Sequence, residues 1–239
     1  MGMSVRFYAY EPPIPYPFHF TNVMRYKYFF RVEFKHGLLD CGVGVFRRGR
    51  DYPPGFLKRY EFIARQLGEI FGDRLWIVIP DYCDDYMHVP NNVEKTLRNI
   101  EYFSRIDGVE WLPVIQSRYL DVESFRKSCE ALKPYRFEKL AIGTVCKTNN
   151  VEYIRKCCSI ARRYFPNAWL HAFGLTLRAL PAVRDLIDSF DSSAYTFPRG
   201  SGYPSCKDRE MRIKYFKEYL ERVNSLGIRQ QKLDRFISS

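Results

Sequence analysis

The chain has 239 residues, long enough for one α/β barrel or at most two small domains. Its 38 Lys and Arg outweigh 27 Asp and Glu for a net charge of +11, spread along the chain rather than held in one tail. Such a balance favours an anionic partner, and 17% aromatic residues add surfaces on which bases stack. No run of eighteen apolar residues exists and Met1 to Tyr10 lacks a signal-peptide pattern, so the expectation is a cytoplasmic protein with no membrane partner. The 7 cysteines form no C-x-x-C pair, which argues against both a disulfide framework and a zinc knuckle.

In chain order, Val5 to Tyr10 and Tyr26 to Phe34 read as strands, and His36-Gly37 reads as a tight hairpin connection. From Leu38 onward, short apolar runs alternate with amphipathic segments of helical period. The strand candidates are Leu38 to Gly42, Leu75 to Ile79, Trp111 to Ile115, Leu140 to Gly143, Trp169 to Phe173 and Phe190 to Ala194. The helix candidates are Pro54 to Phe71, Asn91 to Phe103, Asp121 to Leu132, Asn150 to Phe165, Leu177 to Ile187 and Asp208 to Leu226. Asp121 and Asn149 or Asn150 are suited to cap first turns, and Gly72, Pro134 and Pro166 stop helices. Phe56, Tyr60, Ile63, Leu67 and Ile70 mark one buried stripe.

Eight strands with intervening helices predict a single α/β domain, a (β/α)8 TIM-type barrel. The hairpin would make it incomplete or decorated, with residues 1–36 as an N-terminal extension. The Pro- and Gly-containing stretch 195–206 reads as a long loop, and 227–239 as a mobile tail.

Nearly every predicted strand ends in a polar residue or glycine: Asp40, Asp81, Gln116, Gly143 and Asp191. Strand C-termini of a barrel converge on one mouth, so these positions are expected to share a site. A single one of them reads more readily as a helix cap or turn residue; five together point to a site. Arg47, Arg48, Arg50, Lys147, Arg178 and Arg199 follow strand ends and are candidate phosphate contacts. The run Asp81-Tyr82-Cys83-Asp84-Asp85 has no histidine at ligand spacing, and no metal is expected there. His171 lies two residues before Phe173 on one strand, so the two side chains share a direction.

The segments Leu38-Leu39-Asp40-Cys41-Gly42, Ile77-Val78-Ile79-Pro80-Asp81, Val114-Ile115-Gln116, Ala141-Ile142-Gly143-Thr144 and Phe190-Asp191-Ser192 resemble, in order, the active-site strands of the tRNA-guanine transglycosylase family. The related enzymes that insert 7-deazaguanines into DNA are matched as well. The resemblance spans about Leu38 to Pro198. It implies Asp191 as nucleophile and Asp40 as acid or base. It also implies Asp81 and Gln116 as readers of the purine edge, Gly143 as a backbone N–H donor to the base carbonyl, and Phe173 as an apolar wall. Position 41 is Cys where the family has Ser, and the C-terminal Cys and His zinc motif of the tRNA enzymes is missing, so neither zinc nor another cofactor is expected. The expected partners are a nucleic acid, DNA or tRNA, and a free 7-deazaguanine base; oligomeric state stays open. A purine N-glycosidase using water and a catalytically silent nucleic-acid binder are the alternatives.

Chemically, replacing a base at C1′ with retention needs a nucleophile on one face of the sugar and proton management at the base, a task for two carboxyl groups with different roles.

Overall fold

The computed structural model describes residues 5–42, 51–84, 89–196 and 208–226. Among the described residues nine strands form one sheet: β1 (Arg6–Tyr10), β2 (Phe18–Asn22), β3 (His36–Asp40), β4 (Leu75–Val78), β5 (Trp111–Leu112), β6 (Val114–Ile115), β7 (Lys139–Ile142), β8 (Trp169–Ala172) and β9 (Ser189–Ser192). Their order is β5-β4-β3-β2-β1-β9-β8-β7-β6, and every pair is parallel. The two ends of that order are adjacent in the chain, separated by Pro113 alone. The Leu112 carbonyl accepts from Ile79 N–H on one side (3.0 Å) and the Pro113 carbonyl from Ala141 N–H on the other (2.8 Å). The sheet therefore returns to its own start as a nearly closed parallel barrel, with Pro113 placed where its missing N–H interrupts the strand.

Helices α1 (Phe56–Phe71), α2 (Asn92–Phe103), α3 (Val122–Leu132), α4 (Val151–Tyr164), α5 (Leu180–Val183) and α6 (Arg209–Ser225) follow β3, β4, β6, β7, β8 and β9. Asp121 and Asn150 cap α3 and α4 as expected, accepting from Ser124 N–H (2.8 Å) and Tyr153 N–H (3.1 Å). Helix α5 is shorter than the span Leu177 to Ile187, because Pro181 is tolerated only in a first turn. No described helix is long and apolar enough to cross a membrane.

The N-terminal part departs most from expectation. The strand expected over Val5 to Tyr10 is present as β1, whereas β2 at Phe18–Asn22 was not expected; both lie inside the sheet order, and no helix joins them. Tyr26 to Phe34 is not a strand: Val23–Arg31 is a 3-10 helix, capped by the Asn22 side chain accepting from Met24 N–H (3.0 Å). Val23, Tyr26 and Phe29 recur every three residues, the period of that helix, and Phe29 packs on Phe34 with ring centroids 5.1 Å apart. His36-Gly37 is not a hairpin but the start of β3, parallel to β2.

On α1, Tyr60, Ile63 and Leu67 are buried and Phe56 packs on the core, whereas Ile70 is 54% exposed. The stripe is completed by Ala64 and Gly68 instead. A Cβ on Gly68 would stand 2.2 Å from the Gly108 carbonyl oxygen, so only glycine lets helix and loop approach this closely. Gly68→Ala is expected to destabilise the fold by about 1–3 kcal/mol through overpacking against backbone, read as a lower midpoint in thermal or urea unfolding.

The N-terminal end of the barrel is plugged. Arg6 lies 4.6 Å from the ring centroids of both Phe18 and Trp169, and Tyr8 Oη lies 2.7 Å from His36 Nδ1. Burial and the Arg6 charge push His36 down to about 3, so the plug holds a neutral imidazole.

Candidate active site

Alternate residues of each strand face the barrel interior. Following that alternation from Tyr8, His36, Trp76 and His171, whose rings meet inside the barrel, the last inward positions include Asp40 on β3 and Asp191 on β9. Gln116 just after β6, Gly143 after β7 and Phe173 after β8 reach the same C-terminal end.

Asp191 is 5% exposed and held through one oxygen. Its Oδ1 accepts from Gly174 N–H (2.9 Å) and lies 3.2 Å from His171 Nε2. Gly174 has φ +54°, a turn that aims its N–H back at the strand end. Behind His171, Trp169 Nε1–H donates to Ser189 Oγ (2.7 Å), which lies 2.9 Å from His171 Nδ1. Ser189 Oγ, which accepts from Trp169, is the partner of Nδ1, and Nε2 is turned toward the Asp191 carboxylate. The carboxylate is thus oriented by a chain of three side chains. Its Oδ2 accepts from none of the described residues.

Asp40 has a different environment. Burial, then the charges of Asp81 and Asp191, push its carboxyl up from 3.8 to about 7. Next to it, Cys41 Sγ–H donates to Asp81 Oδ1 (3.0 Å), and Tyr52 Oη–H donates to the Asp81 carbonyl (2.7 Å). Burial, Asp81 and Asp40 all push the Cys41 thiol upward. One carboxylate oxygen each of Asp40 and Asp81 and the Cys41 sulfur lie within 4.8 Å of one another.

Asp81 and Gln116 are almost inaccessible, at 3% and 2% exposure, and are joined by a hydrogen bond from Gln116 Nε2 to Asp81 Oδ2. Gln116 Oε1 accepts from Thr144 Oγ1 (3.1 Å), which itself accepts from Ser117 N–H (2.9 Å). Burial raises the Asp81 carboxyl, while the Cys41 and Gln116 donors pull it down. A Cβ on Gly143 would stand 2.3 Å from Gln116 Nε2, so this glycine makes room for the Gln116 amide. The role expected of the Gly143 N–H is corrected: it donates to the Ile115 carbonyl in the sheet (3.0 Å) and is not directed at a ligand. Phe173 stands beside His171, ring centroids 4.9 Å apart, as a partly buried wall.

A cleft of about 830 Å³ opens beside Asp191. It is lined by residues 146–149, 174–178 and 191–195 and by Tyr215, Glu218, Tyr219 and Arg222 of α6. Asp191 and Lys147 are therefore brought together, whereas Asp40, Asp81, Gln116, Gly143 and Phe173 do not line this cleft. Arg47, Arg48, Arg50 and Arg199 lie outside the described residues, as do 197–207 and the tail 227–239.

Sequence reasoning left Cys41, Tyr52 and Arg222 without a role and His171 as a minor candidate. A signal existed only for His171, whose two-residue spacing from Phe173 put it on the inward face. No protein-family model matches this sequence and no curated protein matches it, so the resemblance to the transglycosylases rests on the strand-end motifs themselves.

Proposed function

We propose that this protein exchanges guanine in a nucleic acid, DNA or tRNA, for a free 7-deazaguanine base through a covalent glycosyl intermediate on Asp191. The observation that carries this reading is the inequality of two carboxyl groups at one barrel mouth. Asp191 is oriented by Gly174 and His171 with Oδ2 left over, while Asp40 is pushed up to about 7 beside Asp81 and Asp191. Paired carboxyls in unlike environments divide into nucleophile and acid–base.

In the first step Asp191 Oδ2 bonds to C1′, the C1′–N9 bond breaks, and Asp40 delivers its proton to the departing guanine. In the second, Asp40 as carboxylate takes the N9 proton of the incoming base, whose nitrogen bonds to C1′ as Asp191 is released. A pKa about 7 suits both directions at neutral pH. The purine edge is read by the buried Asp81 and Gln116. With Gly143 N–H committed to the sheet, the second N–H of the Gln116 amide is the donor we assign to the base carbonyl. A net charge of +11 favours a polynucleotide over a free nucleoside.

The test is incubation with labelled guanine and either DNA or tRNA, with and without a 7-deazaguanine acceptor, followed by denaturation and peptide mapping. Label exchange in one nucleic acid and an adduct on Asp191 are expected. Base release without incorporation would make the protein a water-using glycosidase, and binding without release a silent binder; either outcome overturns the proposal.

A further inference from the structure

We infer that the cleft between the β7, β8 and β9 loops and helix α6 holds the phosphodiester backbone of a single strand beside the reacting nucleotide, with Lys147, Arg178 and Arg222 as its phosphate contacts. This rests on the base-exchange reading for the identity of the nucleotide at Asp191, and on the cleft itself for the strand.

Three observations converge. First, the cleft is continuous with the nucleophile, since Asp191 is part of its wall, and at about 830 Å³ it lies toward the upper end of ligand pockets, which run to about 1,000 Å³. A single base and sugar leave much of it unfilled. Secondly, Arg178 and Arg222 form no ion pair among the described residues, although they flank a cleft that also holds Asp191 and Glu218. Glu218 is 4.0 Å from Lys214, a weak pairing on its own helix. Uncompensated guanidinium groups on two separate elements facing one space suit an anion that reaches both, and guanidinium matches phosphate geometry. Thirdly, the Tyr219 hydroxyl, on a side chain buried in the same wall, forms no full hydrogen bond among the described residues and makes only a marginal approach to Ser192. A buried hydroxyl left short of a hydrogen bond costs stability unless a ligand or water supplies one.

The placement also follows from the fold. The loops after the last two strands of a parallel barrel are a recurrent phosphate-binding position. Here α6 adds Arg222 and Tyr219 from outside the strand ends, which extends the site away from the mouth in one direction. A strand running along it would have its C1′ at Asp191 and its next phosphates between Arg178 and Arg222.

The experiment uses the full chain carrying Asp191→Asn, so that binding is read without turnover. Fluorescence anisotropy with a labelled single-stranded oligonucleotide, DNA in one arm and RNA in the other, is measured across salt concentrations. Adding Arg178→Gln and Arg222→Gln is expected to weaken binding at least tenfold and to lower the slope of log affinity against log salt by about 1.4. Arg163→Gln, which removes one positive charge at the exposed C-terminal end of α4, outside the cleft, is expected to leave both nearly unchanged. Binding unaffected by the two cleft substitutions, or weakened equally by Arg163→Gln, overturns the inference. So does displacement of the oligonucleotide by millimolar inorganic phosphate or a nucleoside monophosphate, since the cleft would then take a lone phosphate group. Loss of strand binding in the cleft variants with no guanine exchange by the unmodified protein would leave the strand site standing and sink the base-exchange reading. Retained binding with exchange would do the reverse.

Discussion

Replacing Asp191 with Asn is expected to lower guanine exchange by about 10³- to 10⁵-fold while leaving affinity for the nucleic acid within a few fold. The asymmetry comes from how the side chain is held. Oδ1 takes Gly174 N–H and faces His171 Nε2, and an Asn oxygen can occupy the same place. The substitution then converts only the outward Oδ2 into an amide nitrogen, which cannot attack C1′. Single-turnover exchange of labelled guanine measures the loss, and anisotropy measures binding. Undiminished exchange in Asp191→Asn, or an adduct on Asp40 in the unmodified protein, would reverse the two roles. His171→Gln, which removes the link to Ser189 and Trp169, is expected to act through orientation, so its kcat falls more than its KM rises.

Asp40→Asn carries the second large effect, and it can be read without any substrate. In the folded protein this carboxyl is pushed up to about 7 from 3.8. Between those values the unfolded chain gives up its proton while the folded one keeps it, so the Asp40 contribution falls as pH rises and is fully lost above the folded pKa. Asn carries no such proton. The variant is therefore expected to be more stable than the parent at pH 8, by on the order of 4 kcal/mol from a shift of roughly three units, with the gap closing toward pH 4. Thermal unfolding of both proteins from pH 4 to pH 8 tests it, and a difference that ignores pH would show that Asp40 does not hold its proton. Exchange should meanwhile drop by about 10²- to 10⁴-fold through loss of the acid and base. Gain of stability with loss of activity is the signature of a group kept for chemistry at a cost to the fold.

Much of the architecture could be read from local pattern. The runs Leu38 to Asp40, Leu75 to Ile79 and Trp169 to Phe173 are apolar over the length of a buried parallel strand, and the intervening helices carry clear periods and caps. β2 was illegible because Phe18–Asn22 alternates with His19 and Thr21 and follows Pro12, Pro13, Pro15 and Pro17, which read as loop. Tyr26 to Phe34 erred the other way. Its aromatic residues suit a strand, but the chain has already turned at the Asn22 cap, and packing of Phe29 on Phe34 and Phe71 selects a 3-10 helix.

By itself the sequence determined that acidic and amide side chains stand at strand ends, because strand period and length depend only on neighbours in the chain. Which of them meet was decided by the nearly closed sheet. Asp40 and Asp81 border each other because β3 pairs with β4, and Asp191 reaches their field because the sheet brings β9 round to β1. The proton on Asp40, the orientation of His171 and the thiol on Asp81 all depend on charges and donors from other strands. The cleft depends on α6, joined to the barrel only by packing. Electrostatic environment is set by distance in space, and local pattern carries no information about it.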